Sequence, residues 1–249
     1  MSWLAVLLVG FGVTDLTHSV VGPRPRVRVL PEGVGALAAL MLGLFAGLTG
    51  PRDVLALVVI VGVVLLWGHL VTRGFGRGPA WAPLLLILAS VGAAILCSGL
   101  ASPSGGDVGR WLDSVTFPVL AGIEPDRFLL LLGCVLVQLS TGNVVVRLVR
   151  KATGTINPGK DGSLPATPLK GGRLLGPLER VFILALGIAG EVTAASIVIA
   201  AKGLLRFPEL SSKPDQARVH QITEYFLLGS FVSWTVSLSC LVLLAGGAG

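Results

Sequence analysis

The chain alternates long apolar runs with short polar segments, and this pattern predicts an all-α polytopic bundle of transmembrane helices. A helix of about 20 apolar residues is long enough to cross the hydrocarbon layer of a bilayer. Short segments rich in Gly, Pro, Arg and Lys separate the runs. We therefore expect about seven spans, with predicted bounds at 3–21, 33–50, 54–71, 81–100, 128–148, 181–201 and 222–244.

Two segments depart from this simple pattern. The run 3–21 is predicted to be a retained first helix, because it lacks the basic start and the small-residue cleavage site of a secretory signal. The loop 101–127 contains the amphipathic stretch Trp111-Leu-Asp-Ser-Val-Thr-Phe117, which we expect to lie along the membrane interface.

The spans group into a five-span region over 1–148, a basic cytoplasmic loop over 149–180 and a two-span region over 181–249, all within one integral bundle. Cytoplasmic loops are enriched in Lys and Arg. That bias predicts an outside N-terminus and an inside C-terminus for seven spans, or an inside N-terminus if 3–21 does not span. The bias is incomplete, because four basic residues fall on the predicted outer side after the sixth span: Lys202, Arg206, Lys213 and Arg218.

Composition supports the membrane assignment. Hydrophobic residues make up 53% of the chain and charged residues 13%, whereas a soluble domain carries about 25% charged residues. The net charge of +6 comes from residues that flank apolar runs, without the aromatic platforms of nucleic-acid-binding proteins. We therefore expect anionic lipid head groups, and not nucleic acid, as partners. Usage of Arg, Gly, Ala and Leu is typical of bacterial high-GC genomes, so we expect the bacterial cytoplasmic (inner) membrane.

Glu191 is the most conspicuous polar residue, because it lies at the midpoint of the predicted sixth span. A carboxylate at the bilayer centre costs roughly 3 kcal/mol, so it is protonated, paired or facing water. Gly187 and Ala195 lie on its helical face, where they permit close approach of a neighbour. Glu191 is either a proton- or cation-linked site or a neutral acid that bonds neighbouring helices.

The seventh predicted span carries a stripe of small hydroxylated residues, Ser230, Ser233 and Ser237. Their spacing places them on one helical face, which is typical of tight helix packing and less often of a substrate path. In the fifth span, Gln138, Thr141 and Asn143 are interpreted as structural polar groups.

Charged residues bracket the last two spans and form a candidate site for lipid head groups or a protein partner. The alternative is that these charges are solvated topology anchors. The residues are Arg173, Arg180, Lys202, Arg206 and Glu224.

The sequence shows no pattern of an enzyme, a metal site or a cofactor site. Phosphate-binding loops, dinucleotide fingerprints and nucleophile elbows are absent. The three cysteines are interpreted as small hydrophobic residues inside apolar runs: Cys97, Cys134 and Cys240. Asp15, His18 and His69 are too few and too scattered to predict a metal site.

Three ordered motifs of the C-terminal half resemble a known family. They are Gly172-Arg-Leu-Leu-Gly-Pro-Leu-Glu-Arg180, Ile199-Ala-Ala-Lys-Gly-Leu-Leu-Arg-Phe207 and Thr223-Glu-Tyr-Phe-Leu-Leu-Gly-Ser230. Together they resemble a bacterial multi-pass membrane family called domain of unknown function 3307. The resemblance covers about residues 140–244 and implies an inner-membrane protein, without assigning an activity or catalytic residues.

Two classes of function follow. The first is a structural, assembly or partner-binding helix bundle, with a membrane protein or a second copy as partner. The second is a small-solute or proton-linked transporter that uses Glu191. The two classes differ in the expected effect of Glu191→Gln. If the protein is a transporter, this substitution abolishes transport; if Glu191 only packs between helices, the substitution is nearly neutral.

Overall fold

The computed structural model describes residues 1–21, 29–118, 120, 122–155, 172–211 and 216–246, and within these ranges it is helical without strands. A π turn, Val137–Thr141, joins two α-helices into one continuous rod, and a 3₁₀ turn, Ser98–Leu100, follows the fourth helix. The helices are α1 (Ser2–Val21), α2 (Leu30–Phe45), α3 (Pro51–Phe75), α4 (Trp81–Leu96), α5 (Gly106–Ser114), α6 (Pro125–Leu136), α7 (Gly142–Ala152), α8 (Gly172–Ile188), α9 (Val192–Ser211) and α10 (Gln216–Gly246).

Four helical segments are long and apolar enough to cross a membrane. They are Ser2–Val21, Pro51–Phe75, Pro125–Ala152 and Thr223–Gly246. Three shorter apolar helices accompany them: Leu30–Phe45, Trp81–Leu96 and Val192–Ala201. The predicted all-α class is therefore confirmed for the described residues, and the four long apolar helices are compatible with a membrane protein.

Helix α1 lies at the centre of the bundle. Its first eleven residues after Met1 are all buried, and it packs against α2, α3 and α6. A helix that is apolar all round is suited to such a place, because every face meets protein. Gly35 permits the contact between α1 and α2, since a Cβ atom there would overlap Thr14 Oγ1 and lie 2.7 Å from the carbonyl oxygen of Gly10.

Side-chain contacts define the direction of each helix. The end of the bundle at which α1 begins is here called the Met1 end, and the opposite end the Val21 end. Helices α3 and α6 run parallel to α1, because Trp3 and Met1 contact their first turns at Asp53 and Asp126. Helix α2 runs antiparallel to α1.

Helix α4 returns from the Val21 end to the Met1 end. Pro83, near its start, contacts Gly74 at the end of α3, and Ser102, shortly after its end, bonds to Asp53 at the start of α3. Helix α5 follows at the Met1 end, where the backbone N–H of Gly105 donates to the carbonyl oxygen of Ala46. Of the stretch expected to lie along the interface, residues 111–114 form the end of α5, and residues 115–117 are not helical.

The predicted continuous helix over 181–201 is wrong. Helix α8 ends at Ile188, and α9 begins at Val192. Gly190 has φ +81°, and the N–H of Glu191 donates to the carbonyl oxygen of Leu186, which is the usual glycine-terminated end of a helix. The predicted loop over 149–180 also ends earlier than expected, because α8 begins at Gly172.

Helices α8 and α10 run parallel to each other. Arg180 contacts Ser233, and Gly187 contacts Leu241, so residue numbers increase together along the pair. Because consecutive parallel helices need a return path, α9 must carry the chain from the Met1 end back to the Val21 end. Helices α8 and α10 both finish at the Met1 end, where α1 begins.

Candidate functional site

A buried arginine on α8 is the centre of the most extensive polar cluster among the described residues. The Arg180 side chain is 1% exposed, although arginine is almost never fully buried without partners. It lies between the π turn of the α6–α7 rod and the middle of α10. We call this group of residues the Arg180 cluster: Gln138, Asn143, Glu179, Arg180, Ser233, Trp234 and Ser237.

Four hydrogen bonds hold the guanidinium group. Its Nε and Nη2 atoms both donate to the main-chain carbonyl oxygen of Gln138, at 3.0 and 2.8 Å. Nη2 also donates to Asn143 Oδ1 at 2.8 Å, and Nη1 donates to Ser233 Oγ at 3.2 Å. The planar fork of arginine therefore connects three helical segments in one fixed geometry.

The local sequence makes room for this side chain. A Cβ atom on Gly142 would lie 2.6 Å from Arg180 Nε, so only glycine leaves space there. The π turn ends at Gly142, whose N–H donates five residues back to the carbonyl oxygen of Val137. A π turn interrupts the regular i to i−4 hydrogen bonds of a helix, and so does an inserted side chain. The Arg180 guanidinium group bonds to the carbonyl oxygen of Gln138, which lies within this π turn.

The cluster lies about midway along two candidate spans. Gln138 is separated by about 20 Å from each end of the segment Pro125–Ala152, at 1.5 Å per helical residue. Ser233 is similarly central in Thr223–Gly246. A guanidinium group buried inside a helix bundle requires internal partners, because it has lost its hydrogen bonds to water.

Three further hydrogen bonds join the other members of the Arg180 cluster across its helices. Trp234 Nε1 donates to Glu179 Oε1 at 3.1 Å. Ser237 Oγ donates to Gln138 Oε1 at 3.3 Å, and Gln138 Nε2 donates to the carbonyl oxygen of Val236 at 3.5 Å. Most polar atoms of the cluster thus have partners inside the protein.

The other face of the π turn connects to the central helix. Ser140 Oγ donates to the carbonyl oxygen of Gly12 at 2.7 Å. Asp15 is 3% exposed and accepts from Trp67 Nε1 at 3.2 Å through both carboxylate oxygens. The π turn therefore joins the α1 core to helices α8 and α10.

A second buried carboxylate lies at the Met1 end. Asp53 is 1% exposed and accepts from Trp3 Nε1 at 2.8 Å and from Ser102 Oγ at 2.7 Å. The backbone N–H of Ser102 adds a third bond at 3.3 Å. These bonds connect the starts of α1 and α3 with the segment after α4. Because Trp3 and Ser102 are far from Asp53 in the sequence, its role as a buried acceptor could not be predicted from the residues beside it.

The serine stripe faces the Arg180 cluster. Ser230, Ser233 and Ser237 are each at most 4% exposed. Ser233 accepts from Arg180, and Ser237 donates to Gln138. The expected single face is present, and two of its three hydroxyl groups belong to the cluster.

Glu191 lies apart from this cluster. It is exposed and follows the turn between α8 and α9, whereas the sequence placed it at the centre of one helix. The turn at Gly190 also separates it from Gly187, whose face packs against Leu241 of α10. The structure therefore does not bring Glu191 together with the serine stripe.

The residues expected at lipid head groups are also divided. Arg180 lies inside the bundle, because its donors are used by Gln138, Asn143 and Ser233. Glu224 is exposed near the start of the candidate span in α10. The side chains of Arg173, Lys202 and Arg206 lie outside the described part of the chain.

Groups of three or more His, Cys, Asp or Glu side chains able to hold a metal ion do not occur among the described residues. Cys134 and Cys240 are buried side by side, with Cys134 Sγ 4.0 Å from the carbonyl oxygen of Cys240, whereas Cys97 is exposed. All three cysteines are free thiols.

Comparison of the chain with protein-family models, curated proteins and solved structures finds no match. The class of protein defined by the fold is an all-helical bundle with apolar helices of membrane-crossing length. The resemblance of residues 140–244 to domain of unknown function 3307 stays a prediction.

Sequence reasoning missed the partnership between Arg180 and the fifth predicted span. Gln138 and Asn143 stand out as polar residues in an apolar run, but the sequence pattern places Arg180 in the loop before the sixth span. The signal that was available is the apolar character of residues 174–178 before Glu179, which extends the helical segment toward the N-terminus.

Proposed function

We propose that this protein is an integral membrane helix bundle with a structural, assembly or partner-binding role. The observation that carries this proposal is the internal bonding of the Arg180 cluster. Its guanidinium donors are used by neighbouring helices, and its serine hydroxyls face those helices. A polar centre whose groups satisfy one another stabilises a fixed arrangement of helices.

A count of eight membrane crossings fits the helix directions better than seven. The crossings are α1, α2, α3, α4, the α6–α7 rod, α8, α9 and α10. Helix α9 has 20 residues and is about 30 Å long, and its first ten residues, Val192–Ala201, form its apolar part. An even number of crossings places the start of α1 and the end of α10 on the same side.

The charge distribution supports this topology. The Met1 end carries Arg52, Arg110 and Arg127. With α9 as a crossing, three of the four exceptions left by seven spans, Arg206, Lys213 and Arg218, join the basic residues of the Val21 end, whereas Lys202 falls at the middle of α9. In the sequence, the helix ends and connecting segments assigned to the Val21 end contain Arg24, Arg26, Arg28, Arg73, Arg77, Arg147, Arg150, Lys151, Lys160, Lys170, Arg173, Arg206, Lys213 and Arg218.

The Val21 end therefore lies in the cytoplasm under the positive-inside rule, and the Met1 end lies outside. With the amino-acid usage typical of high-GC bacterial genomes, this orientation corresponds to the bacterial inner membrane. The resemblance to domain of unknown function 3307 supports the same location. The topology is tested by the labelling experiment that closes the Discussion.

Transport through Glu191 is the competing function, and the geometry gives it less support. An exposed carboxylate beside a helix end needs neither a proton nor a partner to be tolerated. We therefore expect proteoliposomes that contain the protein to dissipate an imposed pH gradient no faster than empty liposomes. Glu191→Gln is expected to leave this rate unchanged.

Faster decay with the wild-type protein, suppressed by Glu191→Gln, would contradict the structural role and favour the transporter. The matched control is Glu224→Gln, because Glu224 is also an exposed carboxylate but lies near the opposite end of the bundle. Its substitution removes the same charge without changing residue 191.

A further inference from the structure

Two arginines near the end of α7 lie over aromatic rings of neighbouring helices. The Arg147 guanidinium carbon is 4.4 Å from the centroid of the Phe75 ring at the end of α3. The Arg150 guanidinium carbon is 3.8 Å from the centroid of the Tyr225 ring on α10. Stacking of this kind occupies one face of a guanidinium group and leaves its N–H edges free for other partners.

Arg150 occupies a notch in α10. Gly229 lies one turn after Tyr225, and a Cβ atom on Gly229 would overlap Arg150 Nη2. The notch therefore requires glycine at this position. It holds the Arg150 side chain in place, so that a ligand meets a preorganised cation.

One donor of this arginine has no acceptor in the described structure. Arg150 Nε is buried and lacks a hydrogen-bond partner among the described residues. The neighbouring cation, Lys151, is already used, since its Nζ donates to the carbonyl oxygens of Gly74 and Gly76 at 2.6 Å each. Arg147 is exposed and Arg150 is partly exposed, so both stacked arginines can present N–H groups at this end.

We propose that Arg147 and Arg150 bind the phosphate group of an anionic membrane lipid at the Val21 end. Arginine forms charge-assisted and often bidentate hydrogen bonds with phosphate oxygens. The site lies where α3, the α6–α7 rod and the long apolar segment of α10 terminate, which is the level of head groups in a bundle that crosses a bilayer. This assignment rests on the proposed membrane location, and it names the ligand class that the basic end recognises.

The test measures lipid retention by the full chain in detergent micelles with native mass spectrometry. Phosphatidylglycerol is added to the wild-type protein, to Arg147→Gln and to Arg150→Gln. We expect phosphatidylglycerol to bind the wild type, and each substitution to weaken its binding about tenfold. Phosphatidylcholine, which has a phosphate but no net negative charge, is expected to bind much more weakly.

Arg52→Gln is the matched control, because it removes one exposed positive charge from the Met1 end. It is expected to retain phosphatidylglycerol like the wild type. Arg147 is exposed, so Arg147→Gln keeps the test valid if Arg150→Gln fails to fold. Equal retention by wild type and both Val21-end variants, or equal binding of phosphatidylcholine, would overturn the proposal.

Inorganic phosphate distinguishes a lipid site from a site for the free anion. We expect phosphatidylglycerol to raise the Tm of the wild type and the same concentration of inorganic phosphate to leave it unchanged. An equal rise with inorganic phosphate would overturn the lipid assignment. Because micelles have no sides, this result is independent of membrane orientation, so failure of the site and failure of the proposed topology are distinguishable.

Discussion

Arg180 shows how a single residue can organise a bundle that has few other charged groups in its interior. Removal of a guanidinium group from water costs several kcal/mol, and the cost is offset only when most of its donors are satisfied. Here the carbonyl oxygen of Gln138, the amide oxygen of Asn143 and the hydroxyl of Ser233 accept its hydrogen bonds. The residue therefore ties α8 to the α6–α7 rod and to α10.

Arg180→Leu is expected to lower the free energy of unfolding in detergent by about 2–3 kcal/mol, because two buried acceptors, on Gln138 and Ser233, and the half-buried Asn143 lose their donor. Arg180→Lys keeps the charge but lacks the planar fork, so we expect a smaller loss than with leucine. Thermal unfolding followed by circular dichroism measures both. A Tm for Arg180→Leu equal to that of the wild type would show that the cluster contributes no stability.

The stabilising role of the buried Asp53 carboxylate can be tested with a matched control, because the adjacent charged residue, Arg52, is exposed. Asp53→Asn places an amide donor against the donors of Trp3 and Ser102, and we expect a loss of about 1–3 kcal/mol in unfolding free energy. Arg52→Gln changes the neighbouring exposed residue and is expected to be nearly neutral. Chemical denaturation of both variants gives the comparison, and equal midpoints would contradict the buried role of Asp53.

At the scale of the helices, glycine determines which elements meet. Two glycines of α2 differ in their surroundings, although they are two residues apart. A Cβ atom on Gly35 would overlap Thr14 of α1, whereas a Cβ atom on Gly33 would meet nothing within 4 Å. The contact between α1 and α2 therefore depends on Gly35.

Gly35→Ala is expected to lower the unfolding free energy by about 1–3 kcal/mol, because the two helices must move apart. Gly33→Ala is expected to be neutral or slightly stabilising, since alanine favours helix without meeting a neighbour. Thermal unfolding of the pair in the same detergent checks the difference. If both variants unfolded like the wild type, α1 and α2 would not pack as described.

The turn between α8 and α9 provides a second test at the scale of the helices, because it distinguishes two helices from one continuous helix. Gly190 has a positive φ of +81° and open space around its Cα atom. Gly190→Ala is therefore expected to cost about 1 kcal/mol from backbone conformation alone. Gly62 on α3 also has open space but lies within a helix, so Gly62→Ala is the control and should be neutral or stabilising. A neutral Gly190→Ala would favour a continuous helix through this position.

The predictability of the elements differed along the chain for physical reasons. The apolar runs of α1, α3 and α10 were visible, because long stretches without charge have few other structures available. The break at Gly190 was not, since apolar residues continue on both sides of it and one glycine within such a run usually stays helical. The partners of Arg180 were also hidden, because sequence spacing does not show which helices become neighbours.

At the scale of the whole molecule, the direction of α9 decides the topology. Contacts of Arg180 and Gly187 make α8 and α10 parallel, so the chain between them must return to the Val21 end. A bundle with seven crossings would leave Arg206, Lys213 and Arg218 on the outer side together with Arg52, Arg110 and Arg127. With eight crossings, the basic residues concentrate at one end, as expected for an inner-membrane protein with that end in the cytoplasm.

The most direct test of this account is the accessibility of residue 189 to a membrane-impermeant maleimide in intact cells. Single cysteines are introduced by Thr49→Cys, Ala189→Cys and Thr153→Cys into a chain whose native cysteines are replaced. All three positions are exposed; Thr49 lies at the Met1 end and Thr153 at the Val21 end.

We predict that Ala189→Cys is labelled from outside together with Thr49→Cys, and that Thr153→Cys is labelled only after the membrane is permeabilised. An unreactive Ala189→Cys beside a reactive Thr49→Cys would place residue 189 within the bilayer. That result would contradict the turn between α8 and α9 and the eight-crossing topology built on it.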